Sequence, residues 1–158
     1  MAQVAEVYKM IIGMNHVGVS VANLDRSTRF YRDLLDMEVV VEAFPFGGEL
    51  YEKILALEGA KGKVSLLKKG TLQLELFEFS HPSPRPKDPN YPVSDHGLSH
   101  FCIEVTDING VYERLETAGV SFHCPPLDFF GKAKATYGRD LDGNVFELLQ
   151  LNGAASSD

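Results

Sequence analysis

Apolar and polar residues alternate with a period of two along several short stretches of the chain. This is the pattern of a β-strand with one buried face. In residues 11–22, the valines from Val17 to Val21 fall on one face, whereas His16 falls on the other. The same kind of pattern predicts strands over residues 37–43, 63–67, 71–79, 98–105, 120–124, 132–139 and 144–151.

Two stretches carry apolar residues at helical spacing instead. Asn23 is predicted to cap a helix over residues 24–35, because a side-chain oxygen at that position accepts a free backbone N–H. Asp107 is predicted to cap a second helix in the same way, and Gly119 to end it. The elements therefore follow the order strand-helix-strand-strand-strand, twice.

The segments between these elements lack a regular period. Residues 44–61 are predicted to be irregular, with a short helical turn at residues 50–57, and residues 125–130 are predicted to form a loop. The repeated prolines of residues 81–95 predict a linker that runs over the surface.

The repeated order predicts an α+β fold built from two βαβββ modules. We place the first module at residues 10–80, a linker at residues 81–96 and the second module at residues 97–151. Each helix covers the apolar face of its own sheet. We expect the two sheets to pair through their other faces into one concave, partly open mixed β-sheet.

Each repeat supplies one histidine and one carboxylate at equivalent positions. His16 and His100 begin the first strand of each repeat, and Glu75 and Glu147 lie in the last strand. Burying two carboxylates together without a cation would cost several kcal/mol. Two histidines and two glutamates are a plausible set of ligands for a divalent metal, so we expect all four in one concave metal cleft. Whether one chain supplies all four ligands or two chains share each site stays open.

The alternation of residues along the fourth strand supports Glu75 as a metal ligand. Glu75 shares a face with Gln73 and Phe77, whereas the other face carries leucines suited to pack on the helix. Glu75 is therefore predicted to point into the cleft, with Glu78 at its rim.

The charge and cysteine content narrow the class of protein. The chain of 158 residues has a formal net charge of -7 and no block of basic residues, which argues against nucleic acid or an anionic membrane as partner. We expect a cytoplasmic protein. Two cysteines, Cys102 and Cys124, do not make a disulfide framework, and Cys102 is expected to fill the core.

Several phrases of the sequence stand out: Asn15-His16-Val17-Gly18-Val19 with Phe30-Tyr31, Leu74-Glu75-Leu76-Phe77, Gly97-Leu98-Ser99-His100-Phe101, and Asp140-Leu141-Asp142-Gly143-Asn144 leading into Glu147. Together they resemble the vicinal oxygen chelate superfamily, which includes glyoxalase I, methylmalonyl-CoA epimerase, extradiol dioxygenases and antibiotic-resistance binders. The resemblance covers about residues 14–151. It implies paired modules, a metal in the cleft and a homodimer.

The resemblance does not by itself assign the activity of glyoxalase I or of methylmalonyl-CoA epimerase to this chain. Glyoxalase I has a basic residue where this chain has Ser20 and an asparagine where it has Phe79, and both help to hold glutathione. The epimerase has glutamine at the Glu75 position and paired histidines where Ser99 precedes His100.

The first hypothesis is a divalent-metal-dependent, glyoxalase-like lyase or isomerase. A small substrate with vicinal oxygens would chelate a Ni, Zn, Co, Mn or Fe ion held by His16, Glu75, His100 and Glu147. The metal would stabilise an enolate while Glu147 or Glu75 takes the proton.

Two alternatives stay open. An Fe(II) ring-cleaving dioxygenase would need a facial triad of His16, His100 and Glu147, and Tyr137, which resembles part of the extradiol signature, favours it as a catalytic residue. Glu75 counts against it, because a fourth ligand removes an open position. The other alternative is a non-enzymatic protein that binds a drug or metabolite.

Overall fold

The computed structural model describes residues 10–153. Its elements follow the chain in this order: β1 (Val17–Ser20), α1 (Leu24–Arg29), a π-helical turn (Phe30–Leu34), β2 (Glu38–Gly47), α2 (Glu49–Leu55), β3 (Lys61–Lys69), β4 (Leu72–His81), β5 (Phe101–Glu104), α3 (Ile108–Thr117), β6 (Ser121–Phe122), β7 (Leu127–Phe129), β8 (Ala133–Arg139) and β9 (Val145–Leu151).

These strands form two mixed sheets. The first has the order β1-β4-β3-β2, and the second has the order β5-β9-β8-β6 with β7 also paired to β8. In each sheet the first strand runs parallel to the last one, and the other neighbours are antiparallel. The predicted α+β class and the repeated strand-helix-strand-strand-strand order are thereby confirmed, with α2 and β7 as additions.

The leucine face of β4 packs inward, as its alternation predicts. Leu74 and Leu76 are fully buried, and Phe146 and Leu148 of β9 are buried in the same way. All four belong to one apolar cluster that also holds residues of α1 and α3. The two modules therefore share a single core, with their helix-bearing faces turned toward it.

Both helices begin where the sequence predicts. The side chain of Asn23 accepts a hydrogen bond from Arg26 N, and that of Asp107 accepts one from Gly110 N. A second contact holds each helix start to its own sheet. Glu78 Oε2 accepts from the first backbone N–H of α1 at 2.6 Å, and Gln150 Oε1 accepts from that of α3 at 2.8 Å. Glu78, predicted at the rim, thus binds a helix start.

A buried polar contact joins the modules. The Tyr31 hydroxyl donates to Asp140 Oδ2 at 2.6 Å, and Asp140 also accepts from Asn144. Nearby, Arg26 pairs with Asp142 at 2.6 Å. The turn at residues 140–144 therefore binds the first module as well as connecting β8 to β9.

Several predicted boundaries are wrong, among them the start of β5, which lies at Phe101 rather than at residue 98. Strand β1 begins at Val17 rather than at residue 11, and Ile11, Ile12 and Met14 are exposed, because no neighbouring strand in the described chain pairs with them. Strand β2 continues through residues 44–47, predicted to be irregular, since β3 pairs with it there. Residues 127–129, predicted as loop, pair with β8.

The predicted surface linker is partly packed. Tyr91 is only 8% exposed, although its neighbours are exposed. No helix among residues 10–153 is both long enough and apolar enough to cross a bilayer.

Candidate metal centre

The first module brings one predicted pair of ligands together. Strands β1 and β4 are parallel, with Gly18 beside Glu75, so His16, two residues before Gly18 and just ahead of β1, reaches the same face. His16 Nε2 lies 3.2 Å from Glu75 Oε2. Both side chains keep solvent access, being 40% and 31% exposed. The pair is therefore open to a ligand from outside its own module.

The second module repeats this geometry. Cys102 lies beside Glu147 in the parallel β5–β9 ladder, and His100 lies two residues before Cys102. His100 Nε2 lies 3.1 Å from Glu147 Oε2. These side chains are less accessible, at 27% and 17%.

The residue before each histidine fixes its ring. Asn15 Oδ1 lies 2.8 Å from His16 Nδ1, and Ser99 Oγ lies 3.0 Å from His100 Nδ1. An acceptor on Nδ1–H leaves the Nε2 lone pair free toward the glutamate side. Gln73 adds a further contact, because its Nε2 donates to the carbonyl of Asn15 at 3.0 Å.

The two pairs do not meet within one chain. Among the described residues, no group of three or more His, Cys, Asp or Glu side chains is close enough to hold a metal ion. Within one chain, His16, Glu75, His100 and Glu147 therefore lie as two separate pairs, which leaves a site shared between two chains as the open alternative. Both modules turn their leucine-bearing faces toward the shared core, so each His–Glu pair lies on the other face of its own sheet.

Each pair nevertheless suits a divalent metal as half of a site. Two ligand atoms bound to a metal at about 2.1 Å and at right angles are separated by about 3.0 Å. The two measured Nε2–Oε2 distances, 3.2 and 3.1 Å, fit this spacing. A nitrogen and an oxygen donor from each pair form a set that suits Zn, Ni, Co, Mn or Fe.

The second pair lies among further polar and aromatic groups. The Tyr137 ring centre lies 4.7 Å from that of His100, and the His123 ring centre lies 5.9 Å from that of Tyr137. Burial raises the pKa of the Tyr137 hydroxyl, and the charge of Glu147 raises it further. Burial, followed by Arg139, lowers the pKa of His123. Both groups are therefore held in their neutral forms near neutral pH.

Cys102 belongs to this face and does not fill the core. The residue is exposed, and its thiol lies beside Glu147. Partial burial of the thiol, the charge of Glu147 and a hydrogen bond to that carboxylate raise the pKa of Cys102 to about 11. The thiol stays protonated at neutral pH.

Aromatic rings line the first sheet beyond Glu75. Phe77 and Phe79 stack with their centres 5.6 Å apart, and Phe46 meets both edge-on at 5.5 and 5.3 Å. Tyr51 of α2 covers Phe46 at 5.0 Å. Phe77 and Phe79 remain partly exposed, so an apolar surface lies two residues from Glu75.

Sequence reasoning missed three contributors to this region. His123 lies beside a proline-containing loop, so its sequence context predicts no role for it, yet it directly follows β6 and its ring meets that of Tyr137. Glu78 and Gln150 each follow a predicted ligand by three residues and bind the start of a helix. Their equal spacing after Glu75 and Glu147 was the signal that could have identified them.

A family model and one known protein both match most of the chain. The model of the Glyoxalase/Bleomycin resistance protein/Dioxygenase superfamily matches residues 13–148. The Escherichia coli K12 protein YaeR, described as uncharacterized, is 28% identical over 137 residues, which cover 87% of this chain and 95% of YaeR.

Solved structures show the same fold. A glyoxalase family protein from Bacillus cereus superposes with a TM-score of 0.82 at 19% identity, covering 90% of this chain and 96% of the other. The genomically encoded fosfomycin resistance protein FosX from Listeria monocytogenes superposes with a TM-score of 0.60 at 18% identity, covering 89% and 94%.

Proposed function

Because the chain belongs to the Glyoxalase/Bleomycin resistance protein/Dioxygenase superfamily, we propose that it is a divalent-metal-dependent, glyoxalase-like lyase or isomerase. Its substrate is a small molecule with oxygens on neighbouring carbons. The proposal rests on one observation: both modules place a histidine nitrogen 3.1 to 3.2 Å from a glutamate oxygen, at equivalent positions.

The metal site is completed by a second copy of the chain. One chain contributes two ligands on each of two separate faces, whereas a four-ligand site needs both pairs around one ion. In a symmetric homodimer, His16 and Glu75 of one protomer can face the partner's His100 and Glu147. Twofold symmetry then gives two identical sites, because the same contact is made twice. The exposed apolar residues before His16 offer surface for such an interface.

A bound divalent ion would supply Lewis-acid stabilisation for negative charge that develops on a substrate oxygen. The chain supplies the proton acceptor. Glu147 is less accessible than Glu75 and has Tyr137 and Cys102 beside it, so it is the better placed general base. Tyr137 keeps its proton at neutral pH and can donate a hydrogen bond to a substrate oxygen.

Metal analysis of the purified protein tests the proposal. We expect about one divalent ion per chain after dialysis without chelator. His16→Ala should lose most of it, whereas His96→Ala, an exposed loop histidine, should keep it. Wild-type protein without a stoichiometric ion would contradict the proposal and favour a non-enzymatic binding protein.

An Fe(II) dioxygenase is the second candidate, favoured by the position of the Tyr137 ring against His100. Glu75→Ala separates the two functions. A lyase or isomerase with four protein ligands should lose metal and activity, whereas an oxygenase that uses His16, His100 and Glu147 should keep both. Metal content and oxygen consumption with catechol-type substrates measure the difference.

A further inference from the structure

A cleft between the modules lies next to the second His–Glu pair. It has a volume of about 530 Å³ and is bounded by β1, by linker residues 84–91 and by the start of β5, including His100. Small-molecule sites commonly have volumes of about 300–1,000 Å³. The cleft is therefore large enough for part of a substrate.

A hydrogen bond and close packing hold the linker wall of this cleft in place. Arg139 Nη2 donates to the carbonyl of Tyr91 at 2.7 Å, and the Tyr91 side chain is buried. Gly143 has a φ of +82°, and a Cβ there would lie 2.5 Å from Pro89 Cα. The turn after β8 and the linker thus pack backbone against backbone, which fixes the position of the wall.

This wall carries two cations without acidic partners. Arg85 and Lys87 both line the cleft, and neither forms an ion pair within residues 10–153. Lys87 Nζ instead lies 3.3 Å from the centre of the Tyr91 ring, as a cation–π contact. Asp142, the acid in the lining, is already paired with Arg26 at 2.6 Å. The cleft is locally positive in a chain whose net charge is -7.

The opposite wall offers backbone donors. Among the described strands, β1 pairs with β4 alone, so its other edge faces the cleft. Val21 N donates to Phe77 O at 2.8 Å, on the β4 side. Alternate residues of a strand direct their N–H groups to opposite edges, so those of Gly18 and Ser20 in β1 point to the open edge. Amides and cations together suit an anion.

We propose that this cleft binds an anionic group of the substrate, either a carboxylate or a phosphoryl group. His100 belongs both to the cleft lining and to the second ligand pair, so the anion is held at one end while the reacting end reaches that pair. The link to a substrate rests on the proposed function, whereas the anion site itself does not.

Amide NMR of the full chain, freed of metal with EDTA, tests the site directly. Sodium phosphate and sodium malonate are titrated separately at constant ionic strength. We expect the amides of both Gly18 and Ser20 to shift with saturable binding, and the tighter of the two probes identifies the anion class. Arg85→Gln/Lys87→Gln should weaken binding at least about tenfold, because charge-assisted hydrogen bonds are lost.

Lys61→Gln/Lys63→Gln is the matched control, since it removes two exposed positive charges from the first sheet. It should change the affinity less than about twofold, because neither lysine lines the cleft and solvent screens an exposed charge. Equal weakening in both double variants, or shifts that map away from β1 and the linker, would overturn the anion site.

Metal analysis keeps this outcome separate from the proposed function. Saturable anion binding in a chain that holds no stoichiometric metal would leave the anion site standing and remove its link to metal-dependent catalysis. Metal binding without saturable anion binding would overturn the inference drawn here and leave the proposed function intact.

Discussion

At the scale of single residues, the side chain that orients each histidine should affect metal binding as well as the histidine itself. Asn15 holds His16 through Nδ1, so we expect Asn15→Ala to weaken metal binding about 10- to 100-fold, as the loss of such a contact does elsewhere. Competition with a chelator measures the affinity. Asn152→Ala removes an exposed asparagine that bonds to Gly131 and to neither histidine, and this variant should bind metal like the wild type. Equal affinities for all three proteins would contradict an orienting role for Asn15.

The thiol of Cys102 gives a prediction about pH. Because its pKa is raised to about 11, its alkylation by iodoacetamide in EDTA-treated Cys124→Ser protein should be slow at pH 8 and rise steeply above pH 10. Glu147→Gln removes a negative charge that disfavours the thiolate, so it should lower the pKa and speed the reaction at pH 8. Mass spectrometry follows the modification. A half-maximal rate near pH 8.5 in the Cys124→Ser background would be inconsistent with this environment.

Sequence patterns predicted residue positions well where alternation applied. The face shared by Glu75 and Gln73, opposite the leucines, is the face that the structure shows. Cys102 also alternates with His100, but its assignment to the core was wrong, because the pattern gives the face and not what covers that face. His123 could not be placed, since its contact with Tyr137 depends on how β6 pairs with β8.

At the scale of elements, pairing between strands determined the strand ends that the sequence pattern predicted wrongly. Residues 11–16 have a strand-like composition but no partner strand among the described residues, and β1 is correspondingly short. Residues 44–47 contain proline and glycine, yet they extend β2 because β3 offers a partner there. The two predicted helices and their caps needed no such long-range information, because capping and periodicity are local properties.

Two glycines in strands give a matched pair of predictions about stability. A Cβ at Gly62 would lie 2.0 Å from the carbonyl oxygen of Glu78 and 2.9 Å from the Phe46 ring, whereas a Cβ at Gly18 would meet nothing within 4 Å. We therefore expect Gly62→Ala to lower the free energy of unfolding by about 1–3 kcal/mol, as overpacking does. Gly18→Ala should stay within about 0.5 kcal/mol of the wild type. Urea unfolding measures both, and a Gly62→Ala protein as stable as Gly18→Ala would refute the close approach.

At the scale of the whole molecule, the modules are held together by a core and by the buried contact of Tyr31 with Asp140. Tyr31→Phe leaves the carboxylate without its hydroxyl donor, so we expect a loss of about 1.5–3 kcal/mol in the free energy of unfolding at pH 7. Tyr112→Phe, at an exposed hydroxyl that donates within its own helix, is the control and should cost much less.

The hydrogen bond between Tyr31 and Asp140 also predicts how the free energy of unfolding changes at alkaline pH. Burial and then Asp140 raise the pKa of Tyr31, which means that the folded state favours the neutral phenol. This stabilisation is complete below the unfolded pKa of about 10 and is lost as the pH rises through the folded value. The difference in stability between wild type and Tyr31→Phe should therefore narrow above pH 10. A difference that stays constant up to pH 12 would argue against this ionisation.

The fold of the whole molecule followed from the repeated order of elements, but the way the modules face each other did not. The sequence suggested that the two histidine-bearing faces meet within one chain. In the structure the leucine-bearing faces share a core instead, and the two His–Glu pairs stay separate. Which faces meet depends on packing between modules, and the alternation within each strand is the same for both arrangements.

The most direct test of the shared metal site is complementation between two defective chains. His16→Ala/Glu75→Ala and His100→Ala/Glu147→Ala are coexpressed with different tags, and the heterodimer is purified. One of its two sites then has all four ligands and the other has none. We expect about one divalent ion per heterodimer and almost none in either homodimer of variants. A heterodimer as empty as the two homodimers, beside a metal-loaded wild type, would contradict a site shared between protomers.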